Sequence, residues 1–190
     1  MTKFKQIKQE IENIYKNSDC SNPIDRKNDP IHSKLTLKWV LELQPKADDA
    51  LKIAALGHDI DRAIEKRRIK NEDYDDYSHK KKVHSKESAK VITEILRRYK
   101  YNKDILNKVK YLIEHHEVGG TKEANILRDA DSLTFFSFNI NDYLEDRGID
   151  KTKDKIKFMY NRLSNKAKNM VNRMKFNKKT KEIFMQALEA

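Results

Sequence analysis

The sequence predicts an all-α protein, and three observations carry this prediction. Four glycines and three prolines in 190 residues leave few breaking points, which favours long helices joined by short connections. Apolar residues recur at steps of three and four, as in Phe4, Ile7, Ile11 and Ile14, and this is the period of an amphipathic helix. No segment of the sequence shows the clear alternation of apolar and polar residues that is typical of a β-strand.

The first part of the chain divides into three predicted helices. They cover residues 3–17, 31–43 and about 49–57. Residues 18–30 (SDCSNPIDRKNDP) are rich in turn formers and are predicted as a loop, and Pro45 ends the second helix. The third helix, which begins at Asp48 or Asp49, contains the most apolar stretch of the chain at residues 51–56. We therefore expect this helix to be central and buried.

The second part of the chain begins with a polar segment, residues 61–82, which is predicted as a loop or an irregular insert. Further helices are predicted at residues 82–99, 102–116 and 122–138. Gly119 and Gly120 break the chain before the last of these. Residues 151–190 are basic with spaced apolar residues, so we expect two or three helices that pack on the main bundle.

Length and composition limit the domain organisation. A chain of 190 residues is long enough for one domain with a sizeable core. We expect a single domain over residues 1–190, with a core at about 30–140 and a helical C-terminal extension at 150–190. Hydrophobic and charged residues each make up 37% of the chain, which predicts a modest core beneath a heavily charged surface.

Cysteine usage and hydropathy indicate a cytoplasmic protein. The single cysteine, Cys20, cannot form an internal disulfide, fits a reducing compartment and excludes a zinc site built from several cysteines. The chain has no run of 18 apolar residues, so we expect no transmembrane helix and no membrane partner. The first residues alternate charged and apolar side chains and lack the apolar segment of a signal peptide. The oligomeric state stays open.

The net charge of +11 and a pI of about 9.5 describe a basic surface. Such a surface attracts polyanions, including nucleotides, phosphorylated metabolites and nucleic acid. The lysines are spread along the whole chain rather than gathered in one stripe. A lysine-rich composition therefore explains the charge better than a nucleic-acid site does, and nucleic acid remains a possible but not a favoured partner.

Five of the six histidines and two aspartates form an ordered pattern that indicates a metal site. In chain order they are His32, His58, Asp59, His84, His115, His116 and Asp131. Imidazole nitrogens and carboxylates are ligands for first-row divalent metals, and a nitrogen-rich set favours Mn, Fe, Co, Ni or Zn over Mg. Neighbours on a helix point about 100° apart, so His58 and Asp59 can approach one ion from different sides. The Asp59 carboxylate can also bridge to a second ion, so we expect one or two ions.

The order of four of these residues, His32, His58-Asp59 and Asp131, resembles the H…HD…D pattern of the HD superfamily of metal-dependent phosphohydrolases. The resemblance extends over the central bundle and implies an HD-domain-like helical fold in which these four residues bind metal. Asp131 lies in a segment, Ala-Asp-Ser-Leu, that is similar to the last-ligand helix of the family. Asp129, two residues earlier, is the rival for that role.

Two further segments are similar to the HD-GYP phosphodiesterases and other binuclear members of the superfamily. They are VHSKESA around His84 and IEHHEVGG around His115 and His116. The resemblance implies that these histidines complete a second metal site, and which of the adjacent pair is the ligand stays open. Gly-Thr-Lys at residues 120–122 stands where those phosphodiesterases have Gly-Tyr-Pro, so no cyclic-dinucleotide specificity is implied.

The resemblance implies hydrolysis of a phosphate ester or anhydride in a nucleotide or a small phosphorylated metabolite, by metal-activated water. Asp59 would hold the metals and orient the water. Arg62, in an Asp-Arg pair where the family often has Gly-Lys, would face the substrate phosphate with a bidentate fork. Glu117 either orients a histidine or is an ordinary surface charge, and the sequence favours neither alternative.

Two other functions fit the same residues. Some binuclear HD proteins are oxygenases with a diiron centre, so the same ligand set is compatible with redox chemistry. A basic nucleic-acid-binding helical module with a structural metal is the alternative that is not an enzyme. Metal identity, oxygen consumption and the salt dependence of nucleic-acid binding distinguish the three.

Overall fold

The computed structural model describes residues 2–69 and 77–189, and this part of the chain is helical without a β-strand. The predicted all-α class is therefore confirmed. Two short 3-10 turns, Ile60–Ala63 and Glu65–Arg67, follow the third helix, and a π-helical segment, Phe135–Asn139, joins the sixth helix to the seventh. The α-helices are α1 Lys3–Lys16, α2 Pro23–Leu43, α3 Asp49–Gly57, α4 Tyr77–Arg98, α5 Lys103–Glu114, α6 Lys122–Thr134, α7 Ile140–Asn161, α8 Asn165–Val171 and α9 Lys178–Glu189.

Short polar side chains begin most of these helices. Each one accepts a hydrogen bond from a backbone N–H group two or three residues further on, which satisfies a donor that has no partner within the helix. The capping residues are Thr2, Asn22, Asp48, Asn102, Thr121 and Ser164. The helix starts are thus encoded locally.

Helix α2 begins at Pro23, so the loop predicted at residues 18–30 was wrong in its second half. The Asn22 side chain caps the first turn, and Pro23 occupies the first helical position, where its missing N–H group costs no hydrogen bond. The extra turns place Asn28 and Asp29 on the helix, where both are buried.

Both ends of the polar segment contain helical structure that the sequence pattern did not predict. The two 3-10 turns occupy much of residues 60–67, and α4 begins at Tyr77 rather than at residue 82. Residues 70–76 of the predicted insert lie outside the described residues. Because α4 starts early, Lys81 lies on a helix instead of in a loop.

The chain also remains helical across residues 139–150, to which the sequence pattern assigns no element. The π-helical segment leads into α7, in which Gly148 has a φ of 78° and interrupts the helical geometry. Ile140 and Leu144, four residues apart, are buried in the second of two hydrophobic clusters. Their burial against α9 and its neighbours stabilises this part of α7.

Helix α3 lies at the centre of the bundle, as its apolar sequence predicts. Apart from Lys52, its side chains from Ala50 to Leu56 are buried, and it packs against α1, α2, α5 and α6. A Cβ atom at Gly57 would lie only 2.4 Å from Cδ1 of Ile92 on α4. The missing side chain therefore lets the end of α3 approach α4 closely, and His58 and Asp59 follow directly.

Two hydrophobic clusters form the core of the described part of the chain. The first is built from helices α1 to α6, and the second from the end of α6, the π-helical segment and α7 to α9. Trp39 and Leu43 on α2 pack against both clusters. Within the described part of the chain, no helix combines the length and the apolar character needed to cross a membrane.

Candidate metal centre

Six of the predicted ligand residues converge at the end of the buried helix α3. Five different helices or their ends supply them, and each residue is at most 8% exposed to solvent. They are His32 on α2, His58 and Asp59 directly after α3, His84 on α4, His116 just after α5, and Asp131 on α6.

The first group of ligand atoms contains His32, His58 and Asp131 and reaches one oxygen of Asp59. Nε2 of His32 lies 3.2 Å from Nε2 of His58 and 3.2 Å from Oδ1 of Asp131. Nε2 of His58 lies 3.7 Å from Oδ1 of Asp131 and 3.7 Å from Oδ2 of Asp59. These atoms come from three helices and face one point.

The second group contains His84, His116 and the other oxygen of Asp59. Oδ1 of Asp59 lies 2.9 Å from Nε2 of His84 and 3.7 Å from Nε2 of His116. An ion held about 2.1 Å from each ligand atom separates those atoms by about 3 to 3.5 Å. Both groups are close to this spacing, and Asp59 offers one oxygen to each.

The opposite nitrogen, Nδ1, of each of the four histidines contacts an acceptor of the protein. Where that acceptor is a carbonyl or carboxylate oxygen, Nδ1 must carry the hydrogen, and in the neutral imidazole Nε2 keeps its lone pair. The contacts from Nδ1 are His32 to Asn139 Oδ1 at 2.8 Å, His58 to Ala55 O at 3.0 Å, His84 to Asp61 Oδ2 at 2.8 Å and His116 to Ile113 O at 2.8 Å. Four Nε2 atoms are thus oriented toward the cluster.

The two carboxylates of the cluster are ionised at neutral pH. Burial raises the pKa of Asp59, but the charges of Arg62 and His58 and the hydrogen bond from His84 outweigh it and hold the pKa well below its usual range. Burial also raises the pKa of Asp131, but the hydrogen bonds from His32 and His58 outweigh this effect and hold the pKa well below its usual range. Ionised carboxylates are the form that binds a cation.

The histidines of the second group differ in their affinity for protons. Burial lowers the pKa of His116 to about 4, so its Nε2 lone pair is free at neutral pH. Burial also acts on His84, but the charges of Asp61 and Asp59 prevail and raise the pKa of His84 to about 10. A proton and a metal ion therefore compete for Nε2 of His84, and metal affinity falls as the pH falls.

The structure does not bring His115 or Asp129 to the cluster. The ring of His115 stacks on Tyr111 with centroids 4.0 Å apart, and its Nδ1 contacts the Tyr111 carbonyl oxygen. Oδ1 of Asp129 accepts a hydrogen bond from the backbone N–H of Ser164, 3.1 Å away. Of the two alternatives left open by the sequence, His115 or His116 and Asp129 or Asp131, the structure therefore places His116 and Asp131 at the cluster.

Arg62, the predicted phosphate-binding cation, lies between the cluster and solvent. Its Nη1 atom is 2.8 Å from Oδ2 of Asp59 and 3.8 Å from Oδ1 of Asp29. The Arg62 side chain is 38% exposed and lines a cavity of about 650 Å³ that opens onto the cluster. A guanidinium in this place can contact an anion that enters the cavity.

Sequence reasoning missed the residues that hold the histidines. Asp61 accepts hydrogen bonds from Nδ1 of His84 and from the Ser88 hydroxyl, 2.8 Å away in each case. Asn139, in the π-helical segment, contacts His32. The position of Asp61, two residues after Asp59, was a usable signal, whereas nothing in the sequence near Asn139 pointed to it.

Arg162, at the end of α7, is a further residue that the sequence did not identify. Its side chain is only 9% exposed and contacts Asp131, the Ser132 hydroxyl at 2.7 Å and Glu117 at 2.6 Å. Burial raises the pKa of Glu117, but the charges of Arg162, His116 and Lys81 outweigh it and keep the pKa well below its usual range. The C-terminal extension thus supplies a cation that neutralises two carboxylates at the site.

Asp29 is a buried carboxyl group beside Arg62 in the wall of the cavity. Burial raises its pKa from 3.8 to about 7; Asp59 adds to the rise, and Arg62 opposes it. Because the folded pKa is the higher one, the folded state holds a proton that the unfolded state releases between about pH 4 and pH 7. The contribution of Asp29 to stability therefore falls as the pH rises through this window.

The Asp29→Asn variant is expected to be more stable than the wild type at pH 8, by about 2 kcal/mol, because the amide cannot ionise. At pH 5 the gain should shrink to less than half. Urea denaturation of the metal-free proteins at both pH values measures the difference. Asp154→Asn, which changes an exposed aspartate on α7, is the control. An equal effect of Asp29→Asn at both pH values would show that shape rather than ionisation is responsible.

The fold and the cluster together define an all-helical protein with buried histidine and aspartate groups that can hold divalent metal ions. The chain belongs to the family described as "Domain of unknown function (DUF4202)", whose model matches residues 6–184. Comparison with curated proteins and with solved structures found no match.

Proposed function

We propose that this protein is a metal-dependent phosphohydrolase of the HD type, acting on a phosphate ester or anhydride of a nucleotide or small phosphorylated metabolite. The observation that carries the proposal is the position of Asp59. Its two oxygens belong to two separate ligand groups, and the groups adjoin a cavity lined by Arg62. A carboxylate shared between two ions beside a phosphate-sized opening is the arrangement that two-metal hydrolysis requires.

Two divalent transition ions suit the donor set, which is rich in nitrogen. Mn, Fe, Co, Ni and Zn are the candidates, because imidazole binds them in preference to Mg. His32, His58 and Asp131 would hold one ion, His84 and His116 the other, and Asp59 both. When bound, such ions lower the pKa of a water molecule toward neutrality and neutralise charge on phosphate oxygens.

The residues of the chain have separate tasks in this proposal. Arg62 donates hydrogen bonds to the phosphate oxygens and stabilises the charge that develops on them. Asp61 and the backbone carbonyl groups of Ala55 and Ile113 keep three imidazole rings in a fixed orientation. Arg162 neutralises Asp131 and Glu117 and so preserves the geometry of the last ligand.

Metal analysis and a phosphate-release assay test the proposal. We expect about two ions per chain and hydrolysis of one or more members of a panel of nucleotides, sugar phosphates and bis(p-nitrophenyl) phosphate. The Arg62→Gln variant should lose about 100-fold in kcat/KM while its metal content stays unchanged. Arg97→Gln, which alters an exposed arginine at the end of α4, is the matched control.

Two outcomes would contradict the proposal. Oxygen consumption by a diiron form, without phosphate release from any substrate, would place the protein among oxygenases. Nucleic-acid binding with steep salt dependence, together with no turnover, would indicate a binding module with a structural metal.

A further inference from the structure

The cavity contains two basic side chains that lack an acidic partner. Lys151 and Lys155 line it, and neither forms an ion pair or a hydrogen bond with another described residue. Several other basic residues of the cavity are already paired. The pairs are Arg62 with Asp59, Arg68 with Asp25, Lys81 with Glu117 and Arg147 with Asp146.

The two lysines share one face of α7 with Arg162. Lys151 and Lys155 are four residues apart, and Arg162 follows seven residues later, so the helical period places all three on the same side. Like charges four residues apart on a helix repel each other and destabilise it slightly. An anion between the two ammonium groups would remove this repulsion.

Lys155 is held in the cavity by aromatic residues rather than by carboxylates. Its Nζ atom lies 5.8 Å from the ring centre of Phe135 and 5.6 Å from that of Phe158, and the residue is half-buried. Burial lowers the pKa of Lys155, which means that its charged form lacks sufficient compensation from the protein. A second negative group of a ligand would supply that compensation.

The distance of Lys155 from the metal cluster limits what it can bind. Arg162 contacts Asp131 at the cluster, and Lys155 lies seven residues earlier, about 10 Å away along the helix axis. The ammonium group of Lys155 lies beside Phe135 and Phe158 and belongs to neither ligand group, so an anion held there occupies a position of its own in the cavity. A ligand that reaches both positions must carry two charged groups.

We propose that Lys155, with Lys151 one turn away, binds a second phosphoryl group of the substrate. The substrate is then a diphosphate or a bisphosphate rather than a simple monophosphate. This inference rests on the proposed function, because it assumes that the first phosphoryl group lies at the metal cluster. A lysine ammonium group binds phosphate as a point charge and suits a group whose orientation is not fixed.

Calorimetric titration of the metal-loaded protein with phosphonates, which are not hydrolysed, tests the inference. The probes are methylphosphonate, methylenediphosphonate and propylenediphosphonate. We expect one of the two diphosphonates to bind about 10-fold more tightly than methylphosphonate, because one additional charged hydrogen bond increases the affinity by about this factor. In Lys155→Gln this advantage should vanish, while the affinity for methylphosphonate stays within about twofold.

Two further variants guard against a general loss of structure or charge. Lys151→Gln, at an exposed position, should weaken diphosphonate binding by about threefold without affecting the fold. Lys157→Gln, two residues beyond Lys155 and on another face of α7, should leave all affinities unchanged. Metal content measured after each titration shows whether a diphosphonate has removed the ions.

The inference is overturned if neither diphosphonate binds more tightly than methylphosphonate, or if Lys155→Gln weakens all three probes equally. This result is independent of catalysis, because no probe is hydrolysed. A protein that binds diphosphonates through Lys155 and hydrolyses no phosphate compound would contradict the proposed function and leave the anion site standing.

Discussion

The Asp59→Asn variant is expected to lose both of the metal ions proposed for the cluster and, with them, all phosphate release. Asp59 is the one ligand whose two oxygens face both groups, at 2.9 Å from His84 and 3.7 Å from His58. An amide has nearly the same shape as a carboxylate but carries no charge, and its nitrogen is no ligand. The substitution therefore removes the bridge while it preserves the packing.

Elemental mass spectrometry of proteins purified without chelator measures the loss. We expect about two ions per chain in the wild type. In Asp59→Asn we expect fewer than about 0.3 ions per chain, because the variant should bind metal at least about 100-fold more weakly. His84→Gln removes a ligand from one group only and should lower the content to about one ion. This gradation separates a shared ligand from an ordinary one.

His115→Gln is the matched control for these substitutions. It changes a histidine next to His116 that stacks on Tyr111 and lies outside both ligand groups, so metal content should stay at the wild-type value. Retention of two ions by Asp59→Asn would contradict the shared-ligand assignment. Loss of metal in His115→Gln equal to that in His84→Gln would contradict the choice of His116.

The Arg162→Met variant is expected to lose about 3 to 5 kcal/mol of unfolding free energy, the usual cost of removing one partner from a buried ion pair. Arg162 contacts both Glu117 and Asp131, and its side chain is 9% exposed. Methionine fills much of the same space but leaves two buried carboxylates without their common cation. Their mutual repulsion and desolvation are then compensated only in part, by Lys81 beside Glu117 and His32 beside Asp131.

Urea denaturation monitored by circular dichroism measures this effect. Addition of Glu117→Gln to Arg162→Met removes one of the two stranded charges, so the double variant should recover about 1 to 2 kcal/mol. Arg173→Met, at an exposed position after α8, is the control and should change stability by less than about 0.5 kcal/mol. A destabilisation below about 1 kcal/mol in Arg162→Met would show that solvent screens the pair.

The sequence predicted those features of the fold that depend on neighbouring residues. Helical spacing identified α1, α3 and α5 within a few residues, because the period of an amphipathic helix is written into a short stretch. The start of α2 was missed because Asn-Pro was taken as a turn, although Asn22 caps the helix and Pro23 opens it. Asn-Pro can form either a turn or the start of a helix, and the rest of the fold decides which of the two occurs.

The sequence also predicted part of the candidate site, because the order of its residues can be seen without the fold. The order of His32, His58-Asp59, His84 and Asp131 is a property of the chain, and the structure places these residues together. Lys155, Arg162 and Asn139 could not be found, since a lysine or an arginine in a basic tail looks like any other. Only the packing of the π-helical segment and α7 against the bundle brings Asn139 and Arg162 to the cluster and Lys155 into the cavity.

The sequence by itself thus determined an all-helical chain and a set of residues able to bind metal. Only the tertiary structure showed which residue of each pair takes part, because side chains one or two positions apart on a helix leave it in directions about 100° or 200° apart. His116 faces Asp59 while His115 stacks on Tyr111, and Asp131 faces His32 while Asp129 receives the N–H of Ser164. The direction in which each of these side chains points is set by the packing of five helices, and the order of residues in the sequence does not specify it.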